Sequence, residues 1–343
     1  MNNKNFIIYF DCGSSRIRAG SFNNDQSNNN HFIKSKFLFD HLDMESEIQK
    51  IVSYLEKNIN EYIEDVNLMI DSPKMYSIGI SVSKKLEGSK LKQEDVKFLV
   101  RQANQQILKH YKGQDITHII IDSYKIDGIE HTVLPKEINC NVISLDILFI
   151  CIPTELVNYY KKYFFKLNIS VNQIVCSSYI KSLNYRENLS LESDVLFIDI
   201  GFNKTSIICY KKKRITHLNI LPIGGNHISK DISKVLKIDL NQAENIKLNL
   251  GKESQLLNDK EYSLELLQKI IFARIEEILE LSVKSIKSNL ANINQFKMVL
   301  MGEGSKILDN KYKDKISFSN EIDFLEETTE DICQSGLKFE KEL

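Results

Sequence analysis

Two short acidic turns hold the residues of this chain best suited to chemistry. Asp11-Cys12-Gly13-Ser14-Ser15 follows an apolar run from Asn5 to Phe10, and Asp199-Ile200-Gly201 closes a second apolar run that begins at Asp194. A carboxylate where a buried strand opens can hold a hydrated Mg²⁺, which takes few protein ligands and keeps its waters. The turn behind it offers backbone N–H groups that can cradle phosphate oxygens. Either turn alone is an ordinary hairpin, because Asp and Gly are what tight turns select. What lifts the pair above that reading is repetition of their surroundings.

Behind Asp11 the chain alternates from Arg16 to Phe22, passes an Asn-rich tip and alternates again from Phe32 to Phe39. Behind Asp199 it turns at Phe202 to Lys204 and gives strands at Ser206 to Lys211 and Thr216 to Leu221. Each trio of strands leads into a helical pattern, Glu45 to Tyr62 in the first and His227 to Leu236 in the second. The chain thus reads as two related α/β halves, and facing copies would set Asp11 and Asp199 on opposite walls of one cleft. Between the halves, Tyr76 to Ile150 reads as an inserted α+β module. It has strands at Ile78 to Lys84, Ile116 to Ile121 and Asn141 to Ile147 and a helix at Glu94 to His110 with Val96, Leu99, Val100, Ala103 and Ile107 on one face. Ser263 to Leu290 reads as a long helix, with one break allowed, that stacks Leu267, Ile270, Ile271, Ile275, Ile278 and Leu281. A β-like run from Phe296 to Met301 then ends in Gly302-Glu303-Gly304-Ser305.

Composition excludes several classes. With 343 residues and 42% hydrophobic content the chain can bury a core and fill two or three domain-sized units. Lys+Arg 45 against Asp+Glu 46 leaves no global field to draw it onto nucleic acid or an anionic membrane. The six cysteines form no CxxC pair and have no His at metal-ligand spacing, which fits reduced thiols in a cytosol. The start shows no leader-like apolar region, and the most apolar run, Val142 to Pro153, is too short to span a bilayer and contains Asp146.

Taken together, four blocks resemble FtsA, the bacterial actin homologue of cell division within the actin, DnaK-type chaperone and sugar-kinase superfamily. Asp11 to Gly20 resembles the family's first phosphate loop, and Phe197-Ile198-Asp199-Ile200-Gly201 the start of its second. Leu221-Pro222-Ile223-Gly224-Gly225 opening a helix, with Ala243-Glu244-Asn245-Ile246-Lys247 and Gly251 beyond it, is the most specific match. Val299 to Ser305 resembles the glycine-rich adenosine loop. Ile116 to Ile120 with Tyr124, Asp127 and Gly128, and the helix start Glu94-Asp95-Val96, are similar to the FtsA-specific subdomain. The fold this implies is α/β: actin-like, duplicated ribonuclease H-like halves around a nucleotide cleft, with an FtsA-type inserted α+β subdomain. Its divisions fall at 1–76 with 151–192 for the first half (1A), 77–150 for the inserted interaction subdomain (1C, SHS2-like) and 193–343 for the second half (2A and 2B).

The resemblance further implies ATP and Mg²⁺ as cofactors. Metal would sit at Asp11 and Asp199. Nucleotide would be held by Asp11, Gly13, Ser14, Ser15 and Arg16 of the first loop, by Asp199, Gly201, Asn203, Lys204 and Thr205 of the second, by Gly224 and Gly225, and by Gly302, Gly304 and Ser305. Glu244 and Lys247 would lie near its ribose and base. The implied role is a scaffold that self-associates as a homo-oligomer or filament, binds FtsZ and other divisome proteins, and works at the cytoplasmic face of the inner membrane at the division site. No nucleic acid is implied, and no water activator stands out, so the expected activity is at most a weak ATPase.

Three departures qualify the match. Phe202-Asn203-Lys204-Thr205 stands where family members usually have Gly-Gly-Thr-Thr, and Glu303 stands where Gly is common. The family's basic amphipathic tail would begin beyond Ser335-Gly336-Leu337, so membrane association is expected to be indirect. Other readings of the same motifs are a PilM-type pilus-assembly actin homologue, a sugar- or acetate-kinase-like enzyme, and a nucleotide-free adaptor with a decayed site.

Overall fold

Strand β1 (Phe6–Cys12) ends on Asp11 and Cys12 and hairpins into β2 (Ile17–Asn23), which puts Asp11 opposite Arg18 and Phe10 opposite Ala19. This computed structural model describes residues 5–23, 29–38, 43–135, 138–189, 194–249, 263–286, 296–307 and 321–342. Antiparallel β3 (His31–Lys34) completes the meander and stops short of the expected Phe39, which lies outside the described residues. Helix α1 (Met44–Ile59) buries Ile48, Ile51, Val52 and Leu55 at helical spacing and stops at Asn60, a left-handed cap. Strand β4 (Asp65–Ile70) then joins β1 in parallel.

Here the module is inserted. Its strands β5 (Tyr76–Lys85), β6 (Gln114–Ile126), β7 (Ile129–His131) and β8 (Val142–Pro153) form an antiparallel sheet in the order β5-β8-β6-β7. Helix α2 (Gln93–His110) lies on that sheet and buries Leu99, Ala103 and Ile107 in a core separate from the rest of the molecule. The expected faces Val96 and Val100 are only partly buried. The apolar run from Val142 to Pro153 is the central strand of this sheet, which explains its length and its Asp146. No described helix is long and apolar enough to cross a membrane.

The chain returns through α3 (Thr154–Lys166) to β9 (Ser170–Cys176), parallel to β4, and enters α4 (Ser177–Asn188). The second half repeats the first. Strands β10 (Val195–Ile200), β11 (Thr205–Lys211) and β12 (Arg214–Leu221) form the meander, followed by α5 (Gly225–Leu236), α6 (Leu240–Leu248), α7 (Leu264–Ile286), β13 (Lys297–Met301), a 3-10 turn at Glu303–Ile307, β14 (Ile322–Phe324) and α8 (Thr329–Glu342). The order β12-β11-β10-β13-β14 matches β3-β2-β1-β4-β9 strand for strand, with the same parallel and antiparallel pairings.

Why the second half opens with a continuous apolar run is visible in β10. Leu196, Ile198 and Ile200 join the core beneath α5 and α7, whereas Val195 and Phe197 join the core shared with the first half. Both faces are covered, so period-2 alternation of polarity disappears. Asp199 falls on the same face as Val195 and Phe197 and is thereby aimed at the first half. Helix α7 is continuous across Leu264–Ile286, the rest of the expected stretch to Leu290 lying outside the described residues; it buries Leu267, Ile271, Ile275 and Ile278, but Ile270 is half-buried and Leu281 exposed.

The inserted module touches both halves. The Ser77 hydroxyl donates to the Leu218 carbonyl at 3.1 Å and accepts from the Leu218 N–H at 3.2 Å, on the edge strand of the second half. Arg214 pairs with Glu130 nearby, and the Thr117 hydroxyl donates to the Ile174 carbonyl of β9 at 2.5 Å.

Candidate functional site

Asp11 and Asp199 line a single cleft between the two sheets. Each carboxylate already has a cation. Asp11 accepts from Arg18 Nη1 at 2.8 Å, its cross-strand neighbour, and from the Ser177 hydroxyl at 2.8 Å at the start of α4. Asp199 is paired with Lys181 Nζ at 2.6 Å, one helical turn beyond Ser177. Lys181 is also 3.1 Å from Glu327, which is held in turn by the Tyr185 hydroxyl at 3.0 Å and the Gly302 N–H at 2.9 Å.

Burial alone would lower the Lys181 pKa, but Asp199 and Glu327 overcome it and hold the ammonium well above its ordinary range. Burial pushes the Asp199 carboxyl up to about 6, with Glu327 and Asp71 adding to the rise against Lys181. Gly302 has φ +90°, and a Cβ there would collide with the Asp199 carboxylate. A residue other than glycine would therefore displace Asp199 from its pair.

Glu303, the unexpected acid of the glycine loop, crosses the cleft. It accepts from Arg16 Nε at 3.1 Å, lies 3.1 Å from Arg18 Nη2 and pairs with Lys34, all on the first half. Burial pushes its pKa up, yet Arg18, Lys34 and Arg16 together bring it down to about 2. Lys204 donates to the Asp71 carbonyl, and Asp71 accepts from the Ser206 hydroxyl at 3.1 Å, so a third set of links joins the halves.

The second loop is closed on itself. Gly201 N–H donates to the Lys204 carbonyl at 2.9 Å, and neither Phe202 nor Asn203 has positive φ. The turn therefore forms without the conformation that Phe would resist. The first N–H groups of α5 are taken by this loop: Gly225 donates to the Gly201 carbonyl at 2.9 Å and Asn226 to the Phe202 carbonyl at 2.7 Å. A Cβ on Gly224 would meet the Phe202 carbonyl at 2.8 Å and the Lys204 nitrogen at 2.9 Å, so this glycine serves close approach of turn and helix. Thr205 fixes the same corner by donating to the Ile223 carbonyl at 2.7 Å. The Phe202 ring is buried edge-on against Phe37, with centroids 4.9 Å apart, and Arg16 caps Phe37 at 5.4 Å.

Glu244 and Lys247 face each other at 2.6 Å, each side chain 3% exposed. Lys247 also donates to the Gly225 carbonyl at 2.9 Å and lies 5.5 Å over the Phe202 ring, and the Ser229 hydroxyl donates to Glu244. Burial lowers the Lys247 pKa against the pull of Glu244.

Of the residues singled out in the sequence, Asp11, Gly13, Ser14, Ser15 and Arg16 line the cleft on one side, and Asp199, Gly201, Lys204 and Gly302 on the other. Asn203 reaches the same gap through its N–H, 3.3 Å from the Ser14 hydroxyl. Thr205, Gly224, Gly225, Glu244, Lys247, Gly304 and Ser305 lie behind this lining; Gly304 packs on Ile200, and the Ser305 hydroxyl donates to the Gly302 carbonyl at 2.7 Å. Gly251 is outside the described residues. Sequence reading missed Lys181, Glu327 and Asp71. Spacing of four from Ser177 on a helix that starts at the cleft marks Lys181, but Glu327 and Asp71 carry no local signal.

These residues do not fit Mg²⁺ with ATP as they stand. Both candidate metal carboxylates carry protein cations, the N–H groups of α5 are engaged, and the cleft holds a cavity of about 70 Å³. Small-molecule sites run to roughly 300–1,000 Å³. Among the described residues no cluster of three or more His, Cys, Asp or Glu is placed to hold a metal.

One buried contact ties the inserted module to this cleft. His118 Nε2 accepts from the Cys176 N–H at 2.9 Å, immediately before Ser177, and its ring packs on Tyr179 and Phe339. Burial holds its pKa down at about 3, against a weaker opposing pull from Asp71. The folded pKa lies below the unfolded value, so stability is present above pH 6.5 and lost as pH falls toward 3. His118 should remove about 2 kcal/mol of unfolding free energy between pH 6.5 and pH 5. Urea melts at the two pH values check this, with His118→Gln expected to flatten that part of the profile.

A family model described as "Cell division protein FtsA" matches residues 196–313. The chain is 23% identical over 296 residues to the cell division protein FtsA of Agrobacterium fabrum, covering 80% of this chain and 66% of that protein. FtsA of Borreliella burgdorferi is 26% identical over 232 residues, covering 63% of this chain and 56% of the relative. The chain thus spans 56 to 66% of the length of these curated relatives. Among solved structures, the PilM-PilN type IV pilus biogenesis complex superposes with TM-score 0.63 at 14% identity, covering 97% of this chain and 95% of the other. MreB5 of Spiroplasma citri bound to ADP gives TM-score 0.52 at 14% identity, covering 99% and 97%. The fold is actin-like, and the resemblance to FtsA that the motifs carry is found again in these matches.

Proposed function

We propose that this chain is an FtsA-like scaffold of bacterial cell division: an actin-fold protein that self-associates and links FtsZ to other divisome proteins at the cytoplasmic face of the membrane. The observation that carries the reading is the family match over residues 196–313 joined to a duplicated actin-like body. The α+β module between β4 and β9 is the surface we assign to partner binding. We divide the chain at 1–76 with 151–192, 77–150 and 193–343.

ATP with Mg²⁺ is the cofactor the resemblance implies. The paired charges of the cleft favour a nucleotide-free adaptor instead. In that reading Asp11, Asp199 and Arg16 act as parts of a latch between the halves.

Co-sedimentation with assembled FtsZ from the same organism tests the role. The chain should pellet with FtsZ polymers and remain in the supernatant without them. A PilM-like role is kept as second reading on the strength of the superposition at TM-score 0.63. Capture by a PilN-type peptide with no pelleting on FtsZ would overturn the division role in its favour.

A further inference from the structure

We propose that Lys181 is a resident cation that takes the place of a divalent metal ion between the two halves, so that the cleft is closed without Mg²⁺. The inference goes beyond the scaffold role and stands on the cleft alone. Lys181 rises from α4 of the first half and meets Asp199 of the second half at 2.6 Å and Glu327 at 3.1 Å. Its side chain is 7% exposed, against 11% for Asp199 and 4% for Glu327, so the ammonium sits where an interdomain ion would have to sit. A buried carboxylate pair needs a cation there, since isolated charges in a dry site are costly. Lys181 supplies one on a tether that cannot dissociate.

The other candidate metal carboxylate is answered in the same way. Asp11 pairs with Arg18 at 2.8 Å, and Arg18 continues to Glu303 across the cleft at 3.1 Å. The acidic side chains on this path thus face cations of the protein itself. A Mg²⁺ at Asp199 would have to displace Lys181 or share a carboxylate with it, and like charges at that separation repel strongly in a low-dielectric site. The second half also commits backbone to the arrangement: the Gly302 N–H holds Glu327 at 2.9 Å, and Gly302 leaves room for Asp199 only because it lacks a side chain.

The test uses the full chain and Mn²⁺ as the probe. Free Mn²⁺ followed by electron paramagnetic resonance should stay unbound by the wild type at roughly millimolar concentration, and melting should be the same in Mg²⁺ and in EDTA. Lys181→Ala vacates the position and should gain at least about tenfold in Mn²⁺ affinity, with its melting temperature raised by Mg²⁺ through mass action. Lys181→Arg keeps the charge and should remain indifferent to both ions. Uptake of one tight Mn²⁺ per wild-type chain overturns the proposal, and that measurement decides even where Lys181→Ala fails to fold. A folded Lys181→Ala that gains no divalent response overturns it as well. Neither result bears on co-sedimentation with FtsZ, so the two proposals fail separately.

Discussion

Lys181→Met should lower the unfolding free energy by about 3–5 kcal/mol at pH 7.5, because it leaves Asp199 and Glu327 buried together without their shared cation. The loss should depend on pH in a definite direction. Burial already pushes the Asp199 carboxyl up to about 6 with Lys181 beside it. A folded carboxyl whose pKa lies above the unfolded value contributes stability that is full below the unfolded pKa and is lost as pH rises through the folded one. Without Lys181 the folded value moves further up, so the variant should approach the wild type as pH falls from 7.5 to 5.5. Urea denaturation at both pH values measures this. An equal deficit at both would show that Asp199 does not depend on Lys181.

The second large effect separates a structural from a ligand-binding role for Glu244 and Lys247. Lys247→Met leaves Glu244 at 3% exposure with the Ser229 hydroxyl as its one remaining donor among the described residues, and should cost about 3–5 kcal/mol. Glu244→Leu combined with Lys247→Met should regain most of that loss, since apolar replacement of both members of a buried pair is often nearly neutral. Ser229 keeps a partner in the double variant, because its hydroxyl also reaches the Gly225 carbonyl at 3.2 Å. A double-mutant cycle on thermal unfolding reads the coupling directly. Small, additive losses of stability would instead mean that the pair is not a unit, as expected of groups reserved for a ribose and a base.

The duplication was legible in the sequence because it rests on local signals. Apolar runs, Asp-x-Gly turns and alternating meanders place β1, β2, β10, β11 and β12 to within two residues at either end, whereas β3 covers only the first part of its expected run. Helix α2 was legible for the same reason, its buried Leu99, Ala103 and Ile107 recurring every four residues. The strands that complete each sheet were not: β4 and β9 pair across the whole inserted module, and β14 has three residues. Their pairing is decided by contacts far apart in sequence. The inner strands also lose alternation when both faces are covered.

The site was legible only as far as its turns. Asp11 and Asp199 stand out by position, but their partners come from elsewhere: Lys181 from α4, Glu327 from the approach to α8 and Asp71 from the end of β4. Glu303 was recognisable as a departure from a glycine loop, yet its meaning depends on Arg16, Arg18 and Lys34 facing it across the cleft. Phe202 reads in sequence as an obstacle to a phosphate turn. In the structure it fills the space between Phe37 and Lys247 and helps to close the gap. The motifs of a nucleotide fold thus persist while the groups they bring together bind one another.

Pulsed electron spin resonance between labels on the two halves tests this closure most directly. All six native cysteines are buried, so Lys50→Cys on α1 and Lys234→Cys on α5, both at exposed positions, can be labelled selectively. One narrow distance distribution, the same with EDTA as with Mg²⁺ and ATP, is the predicted result. A distribution that is broad without ligand and contracts when Mg²⁺ and ATP are added would contradict it.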